Sequence, residues 1–129
     1  MNTKDVWIVT GASRGIGLSI AQRVIANGDC VALLARSDSV YDIAQKLGED
    51  ALGFQTDITD ESAVVATVKK VAAHFGSITR LVNNAGLHRG GRLGKLELSD
   101  WQAVIRTNLD GAMLMSRACE GAMSAGSSI

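Results

Sequence analysis

The stretch Val6-Trp7-Ile8-Val9-Thr10-Gly11-Ala12-Ser13-Arg14-Gly15-Ile16-Gly17 constrains this chain more than any other. An apolar run stops at Thr10, three glycines follow within seven residues, and an amphipathic pattern begins at Ile16. This reads as a strand, a tight turn and the first turn of a helix. Glycines let backbone approach a ligand closely and adopt positive φ. The free N–H groups of the helix start, with the helix dipole, favour an anion there. The spacing G-x-x-x-G-x-G differs from the G-x-G-x-x-G of the commonest dinucleotide binders, and it lacks the Gly-Lys-Ser/Thr ending of a P-loop. A plain βα turn that uses glycine for packing is the competing reading of this stretch alone.

Composition narrows the setting. The 129 residues, 47% hydrophobic and 20% charged, suit one domain with a real core. Thirteen basic and thirteen acidic residues balance, so no global basic field favours nucleic acid or an anionic membrane. The opening Met-Asn-Thr-Lys-Asp leads into no apolar run of signal-peptide or membrane-spanning length, and a cytoplasmic protein is expected. Cys30 and Cys119 lie far apart with no cluster of ligating residues around them. Two buried free thiols are expected, rather than a metal site or a disulfide framework.

Periodicity and punctuation divide the rest. Strands are expected at Asp5–Thr10, Cys30–Ala35, Ala51–Thr56 and Thr79–Asn83. A first helix over Gly15–Asn27 would bury Ile16, Ile20 and Val24, flanked by Leu18 and Ile25. A second, Ser39–Leu47, would bury Val40, Ile43, Ala44 and Leu47 and close at Gly48. A third begins after Thr59 as N-cap, with Asp60 and Glu61 in its first turn, buries Val64, Val68, Val71 and Phe75, and ends at Gly76. A Gly- and Arg-rich loop covers 86–94. A long helix starts near Ser99, with Ser99 and Gln102 as a capping box. It runs to Ala122 or Met123 and places Trp101, Ile105, Asn108, Ala112 and Met115 on one face. Gly126–Ile129 reads as the approach to one more strand. The order β-α-β-α-β-α-β-α implies an α/β fold with a doubly wound, Rossmann-type parallel sheet, truncated before its fifth strand. Residues 1–129 are expected to form the N-terminal, cofactor-binding part of one domain.

Ligand chemistry in such a sheet collects at the C-terminal ends of the strands. A dinucleotide site for NAD carries a carboxylate at the end of the second strand; here Ala35-Arg36-Ser37 stands there. Arg36 and Arg14 together suit a 2′-phosphate, which favours NADP over NAD; the alternative is two solvated surface arginines. Asp57, followed by Ile58, ends the third strand. It could accept a bond from an adenine amino group, or organise the turn before Thr59. Asn83-Asn84-Ala85-Gly86 ends the fourth. Two amides there need partners: one can tie strands together while the other reaches a ligand, and Ala85 and Gly86 leave room for a flat group.

These residues resemble the short-chain dehydrogenase/reductase family. The matching pieces are Thr10-Gly11-Ala12-Ser13-Arg14-Gly15-Ile16-Gly17, Asp57-Ile58, Asn83-Asn84-Ala85-Gly86, and Asn108 within Arg106-Thr107-Asn108-Leu109-Asp110-Gly111. The match is close to the β-ketoacyl-acyl-carrier-protein reductase type. The resemblance implies hydride transfer between a nicotinamide cofactor and a ketone or secondary alcohol. It implies that the turn Gly11–Gly17 binds pyrophosphate and the adenosine ribose, that Arg36 meets the 2′-phosphate, and that Asp57 and Ile58 flank the adenine. Asn84 would contact the cofactor. Asn108 would belong to the catalytic group, positioning a water that relays protons to a lysine.

The same family carries a Ser and a Tyr-x-x-x-Lys as its acid–base centre. The single tyrosine here, Tyr41, has Gln45 four residues on; Lys46 lies one position too far round the helix. Tyr41 is therefore read as surface or packing. The sequence suits the ordered part of a longer chain, one piece of a split enzyme, or a truncated product. In the family the long last helix packs at a subunit interface, so a homo-oligomer through it, or association with a C-terminal half, is expected. His74 closes the third helix, where a cation suits the dipole. His88 lies in the loop that the family uses near substrate, where it either faces substrate or is simply solvated.

Overall fold

The computed structural model describes residues 3–129. Their order is β1 (Val6–Thr10), α1 (Gly15–Ala26), β2 (Cys30–Ala35), α2 (Ser39–Leu47), β3 (Ala51–Gln55), α3 (Glu61–Phe75) and β4 (Arg80–Val82). A 3₁₀ turn at Leu93–Lys95 then precedes α4 (Leu98–Ile105), a π-helical turn (Arg106–Asp110) and α5 (Gly111–Glu120). The four strands form a parallel sheet in the order β3-β2-β1-β4. This is the expected Rossmann-type α/β arrangement. Beyond β4, Ser128 makes a parallel bridge to Arg80: its N–H donates to Thr79 O at 3.0 Å and its carbonyl accepts from Leu81 N at 3.0 Å. The expected strand approach at the end of the chain is thus present.

Strand alternation sends neighbouring residues to opposite faces. Ile8, Ala32 and Leu34 join Val64, Val68, Val71, Met115 and Cys119 on the face covered by α3 and α5. Val9, Val31, Leu33 and Ala35 join Ala21, Val24, Val40 and Ala44 on the face covered by α1 and α2. Every residue of β2 is buried, as a central strand with two covered faces requires. Both cysteines are buried and free. Burial pushes the Cys119 thiol up to about 12. Burial, and then the Asp50 carboxylate beside it, raise Cys30 as well.

Four local expectations are corrected. The buried stripe of α1 is Gly17, Ala21 and Val24, while Ile16 is 74% exposed. At Gly17 the helix lies so close to the Gly-rich turn that no Cβ fits, and Ile16 is exposed beside it. The N-cap of α3 is Asp60, extended at φ −98° and ψ 106°, and its carboxylate accepts from Ala63 N at 3.2 Å. Thr59 is not the cap because its N–H and hydroxyl both donate to Asp57 Oδ1, at 2.9 and 2.7 Å.

The capping box at Ser99 does not form. Glu97 is the last extended residue, at φ −74° and ψ 136°, so Ser99 already lies inside the first turn of α4. The long last helix is also not a uniform α-helix, because residues 106–110 take π geometry. Its expected face is buried only at Met115, while Trp101, Ile105, Leu109 and Met113 lie exposed at a spacing of four. That spacing drifts around an unbroken α-helix.

Candidate cofactor site

The C-terminal ends of all four strands open into one cleft of about 650 Å³. Its floor and walls include Gly11, Ser13, Arg14, Gly15 and Ile16 from the first turn, Arg36 from the end of β2, and Asp57 and Ile58 after β3. Asn84, Ala85 and Gly86 after β4 complete it. Ala12 and Gly17 alone among the expected cofactor residues sit behind this surface, both buried. Their contribution is to hold the turn. Ala12 N donates to Leu34 O at 3.0 Å. A Cβ on Gly17 would collide with Gly11 O and stand 2.5 Å from Asn84 Nδ2.

The turn is shaped by its own sequence. Gly11 and Gly15 take φ of 62° and 60°, the left-handed region that side chains disfavour. Arg14 then starts α1 from an extended conformation, with no side-chain cap and no acidic residue in the first turn. The first N–H groups of α1 are left to an anion. No hydrogen bond or ion pair engages the Arg14 or Arg36 guanidinium among the described residues.

Thr10 and Asn84 lock the turn to β4. The buried Thr10 hydroxyl accepts from Asn84 N at 3.0 Å and Ala85 N at 2.9 Å. Asn84 Nδ2 donates to Thr10 O and Gly11 O, both at 3.1 Å. The adjacent Asn83 Nδ2 donates to Ser116 Oγ at 3.0 Å on α5. Both amide N–H₂ groups therefore tie strands and helices, although Asn84 also lines the cleft. Asp57 organises the Thr59 turn and also lines the cleft. Ile58 is 7% exposed, and a Cβ on Gly111 would stand 2.6 Å from its Cδ1.

Asn108 lies on the π-helical turn, not in the cleft lining. Its side chain clasps the backbone of one residue on both sides: Oδ1 accepts from Leu87 N at 2.7 Å and Nδ2 donates to Leu87 O at 3.0 Å. It fixes the loop that leaves Gly86. Tyr41 lies on α2, half exposed, with its hydroxyl on Gln55 N. His88 is exposed in its loop, beside Gly90.

Leu34, Ala35, Ser37, Ser39, Thr56 and Thr107 also line the cleft and were not expected. The first five flank the ends of β2 and β3, so the rule that ligands sit at strand C-termini could have found them. Thr107 carries no such signal, because its position depends on the π-helical turn.

Residues 5–128 match the family model described as short chain dehydrogenase. The chain belongs to the short-chain dehydrogenase family. It is 36% identical over 119 residues to the 3-oxoacyl-[acyl-carrier-protein] reductase FabG of Salmonella typhimurium, covering 92% of this chain and 49% of that one. The Escherichia coli K12 protein of the same name is 37% identical over 119 residues. Among solved structures, the 3-ketoacyl-(acyl-carrier-protein) reductase of Brucella melitensis complexed with NADH superposes with a TM-score of 0.88 at 30% identity. That alignment covers 92% of this chain and 49% of that one. A blue fluorescent protein from a metagenomic library, in complex with NADPH, gives 0.88 at 31% identity, covering 95% and 53%. The chain spans about half the length of the curated relatives it matches. Among the described residues no helix is long and apolar enough to cross a membrane.

Proposed function

We propose that this chain is the N-terminal, cofactor-binding part of an NADP-dependent oxidoreductase that moves a hydride between the nicotinamide cofactor and a ketone or secondary alcohol. The observation that carries the reading is the pair of unengaged guanidiniums, Arg14 and Arg36, on one cleft whose second strand ends without a carboxylate. The donor set fits the cofactor. The α1 N-terminus and the turn at Gly11, Ser13 and Gly15 would hold pyrophosphate. Arg14 and Arg36 would take the 2′-phosphate by charge-assisted bonds. Asp57 and Ile58 would border the adenine, while Asn84, Ala85 and Gly86 would lie under the ribose and nicotinamide side.

When bound, the cofactor supplies or accepts the hydride at a carbonyl carbon. Asn108 would position groups around the proton path by fixing the loop after Gly86. The Ser and Tyr-x-x-x-Lys that would exchange the proton at the carbonyl oxygen are not among these 129 residues. That, with the 49% coverage of the relatives, favours a second reading of this polypeptide taken alone: it binds nucleotide without turnover. The exposed stripe Trp101, Ile105, Leu109 and Met113 supports a homo-oligomer through α4 and α5, or a C-terminal half packed there.

Fluorescence titration with NADPH and NADH tests the cofactor assignment. Arg36→Ala should weaken NADPH by about tenfold or more, the value of one charge-assisted bond, and leave NADH nearly unchanged. Equal loss for both refutes the assignment. Oxidation of NADPH by this polypeptide with a panel of ketones would refute the binding-only reading.

A further inference from the structure

We propose that Gln55, braced by Tyr41, is a positioning residue that sets the preference of the Arg36 turn for a 2′-phosphorylated nucleotide; this rests on the NADP reading above. The argument starts where the sheet ends. Gln55 lies opposite Ala35 in the parallel register, and Thr56 N makes the last rung to Ala35 O at 2.8 Å. One residue on, Arg36 has left the sheet, and its carbonyl has no strand to pair with. Gln55 Nε2 reaches it at 3.0 Å.

The backbone N–H of Gln55 points away from β2, since β3 is the edge strand. It donates to the Tyr41 hydroxyl at 3.3 Å. One residue thus connects α2, the edge of β3 and the peptide of Arg36. Past that peptide, Ser37 Oγ and Ser39 Oγ lie 2.9 Å apart, and Ser39 N donates to Ser37 Oγ at 3.2 Å. Arg36, Ser37 and Ser39 line the cleft, whereas Gln55 and Tyr41 do not. Gln55 therefore acts through Arg36. It fixes the root of a long, otherwise unrestrained guanidinium side chain, which lowers the ordering cost of engaging an anion.

The test is binding of 2′,5′-ADP and 5′-ADP to the wild type, to Gln55→Met and to Tyr41→Phe, by calorimetry. Gln55→Met keeps the length of the side chain and removes the donor. It should lose about three- to tenfold in affinity for 2′,5′-ADP, the value of one neutral hydrogen bond, with 5′-ADP unchanged. Tyr41→Phe should move the same ratio less. In an Arg36→Ala background Gln55→Met should have no further effect, because the group it positions is gone. A residue that only supported the fold would weaken both nucleotides in both backgrounds, and that result overturns the proposal. Retention of the full preference in Gln55→Met overturns it too. A wild type that binds 2′,5′-ADP no tighter than 5′-ADP instead sinks the NADP reading on which it stands.

Discussion

The two sides of the cleft are finished differently. On the side formed by β1, β2, β3 and the turns after them, several short polar groups have internal partners, while the Arg14 and Arg36 guanidiniums stand unengaged among the described residues. Ala12 is tied to Leu34, Asp57 to Thr59, Gln55 to Arg36 and Tyr41, and Asp60 to the first turn of α3. On the side formed by the loop after β4, α4 and α5, apolar side chains face outward: Leu93 is 89% exposed and Leu109 62%, beside Leu98 and Trp101. One chain holds both kinds of surface. The first is held by its own hydrogen bonds, down to Gly11 and Gly17, where a Cβ would meet backbone within 3 Å. The second exposes a row of large apolar side chains at helical spacing.

The strongest way to break this contrast is to disturb the closed side. Gly17→Ala would drive a Cβ into Gly11 O and within 2.5 Å of Asn84 Nδ2, both held by other bonds. It should destabilise the protein by about 3 kcal/mol, the upper range for overpacking a fixed site. It should also abolish nucleotide binding, since the turn and β4 must separate. A urea midpoint and an NADPH titration check the pair. Wild-type stability in this variant would mean that the turn is not locked to β4 as its hydrogen bonds imply.

The next test sharpens the open side. Leu109→Arg places a charge among the exposed apolar residues at a position that does not itself line the cleft. If the stripe is an interface between copies, association should weaken by at least about 2 kcal/mol, or roughly thirtyfold, as for a buried anchor residue. Sedimentation velocity across a concentration series reads this directly. Folding stability should change little, because the native environment is already solvent. Identical sedimentation of variant and wild type would remove the oligomer reading from this face.

The same contrast explains what the sequence made legible. Strands and helices of the closed side announce themselves, because apolar runs, spacing of three and four, and glycines after helices are direct consequences of burial and chain reversal. The cleft residues were legible for a related reason: strand ends define the ligand edge, and Gly11, Arg14, Arg36, Asp57 and Asn84 stand at strand ends. Ile16 misled because apolar character alone does not say which side of α1 meets the sheet. The small residues Gly17 and Ala21 did, through how closely the helix must approach. Thr59 and Asp60 compete for one cap, and only the prior capture of Thr59 by Asp57 decides it. The π-helical turn at Arg106–Asp110 was not read, because a helix pattern of three and four does not register one widened turn. The Gln55 link to Arg36 depends on strand register, which pattern reading does not supply.

The smallest expected effect tests the closed side by titration. Two helices start differently: α3 is capped by the Asp60 carboxylate, whereas α4 starts at Glu97 with no side-chain cap bond. Hydrogen bonds from Ser62 and from the Ala63 backbone hold the Asp60 carboxyl below its ordinary 3.8. A carboxyl depressed in the folded state adds stability above its unfolded pKa and loses it as pH falls through the folded one. The cap contribution should therefore be complete above about pH 5 and fade below pH 3.8. Amide exchange of Ala63 should quicken over that acid range, relative to Trp101 in the first turn of α4. In Asp60→Ala the Ala63 amide should already exchange faster at neutral pH and lose this acid step. An unchanged acid step in the variant would assign it to another carboxylate and remove the ionised cap from the account of how α3 begins.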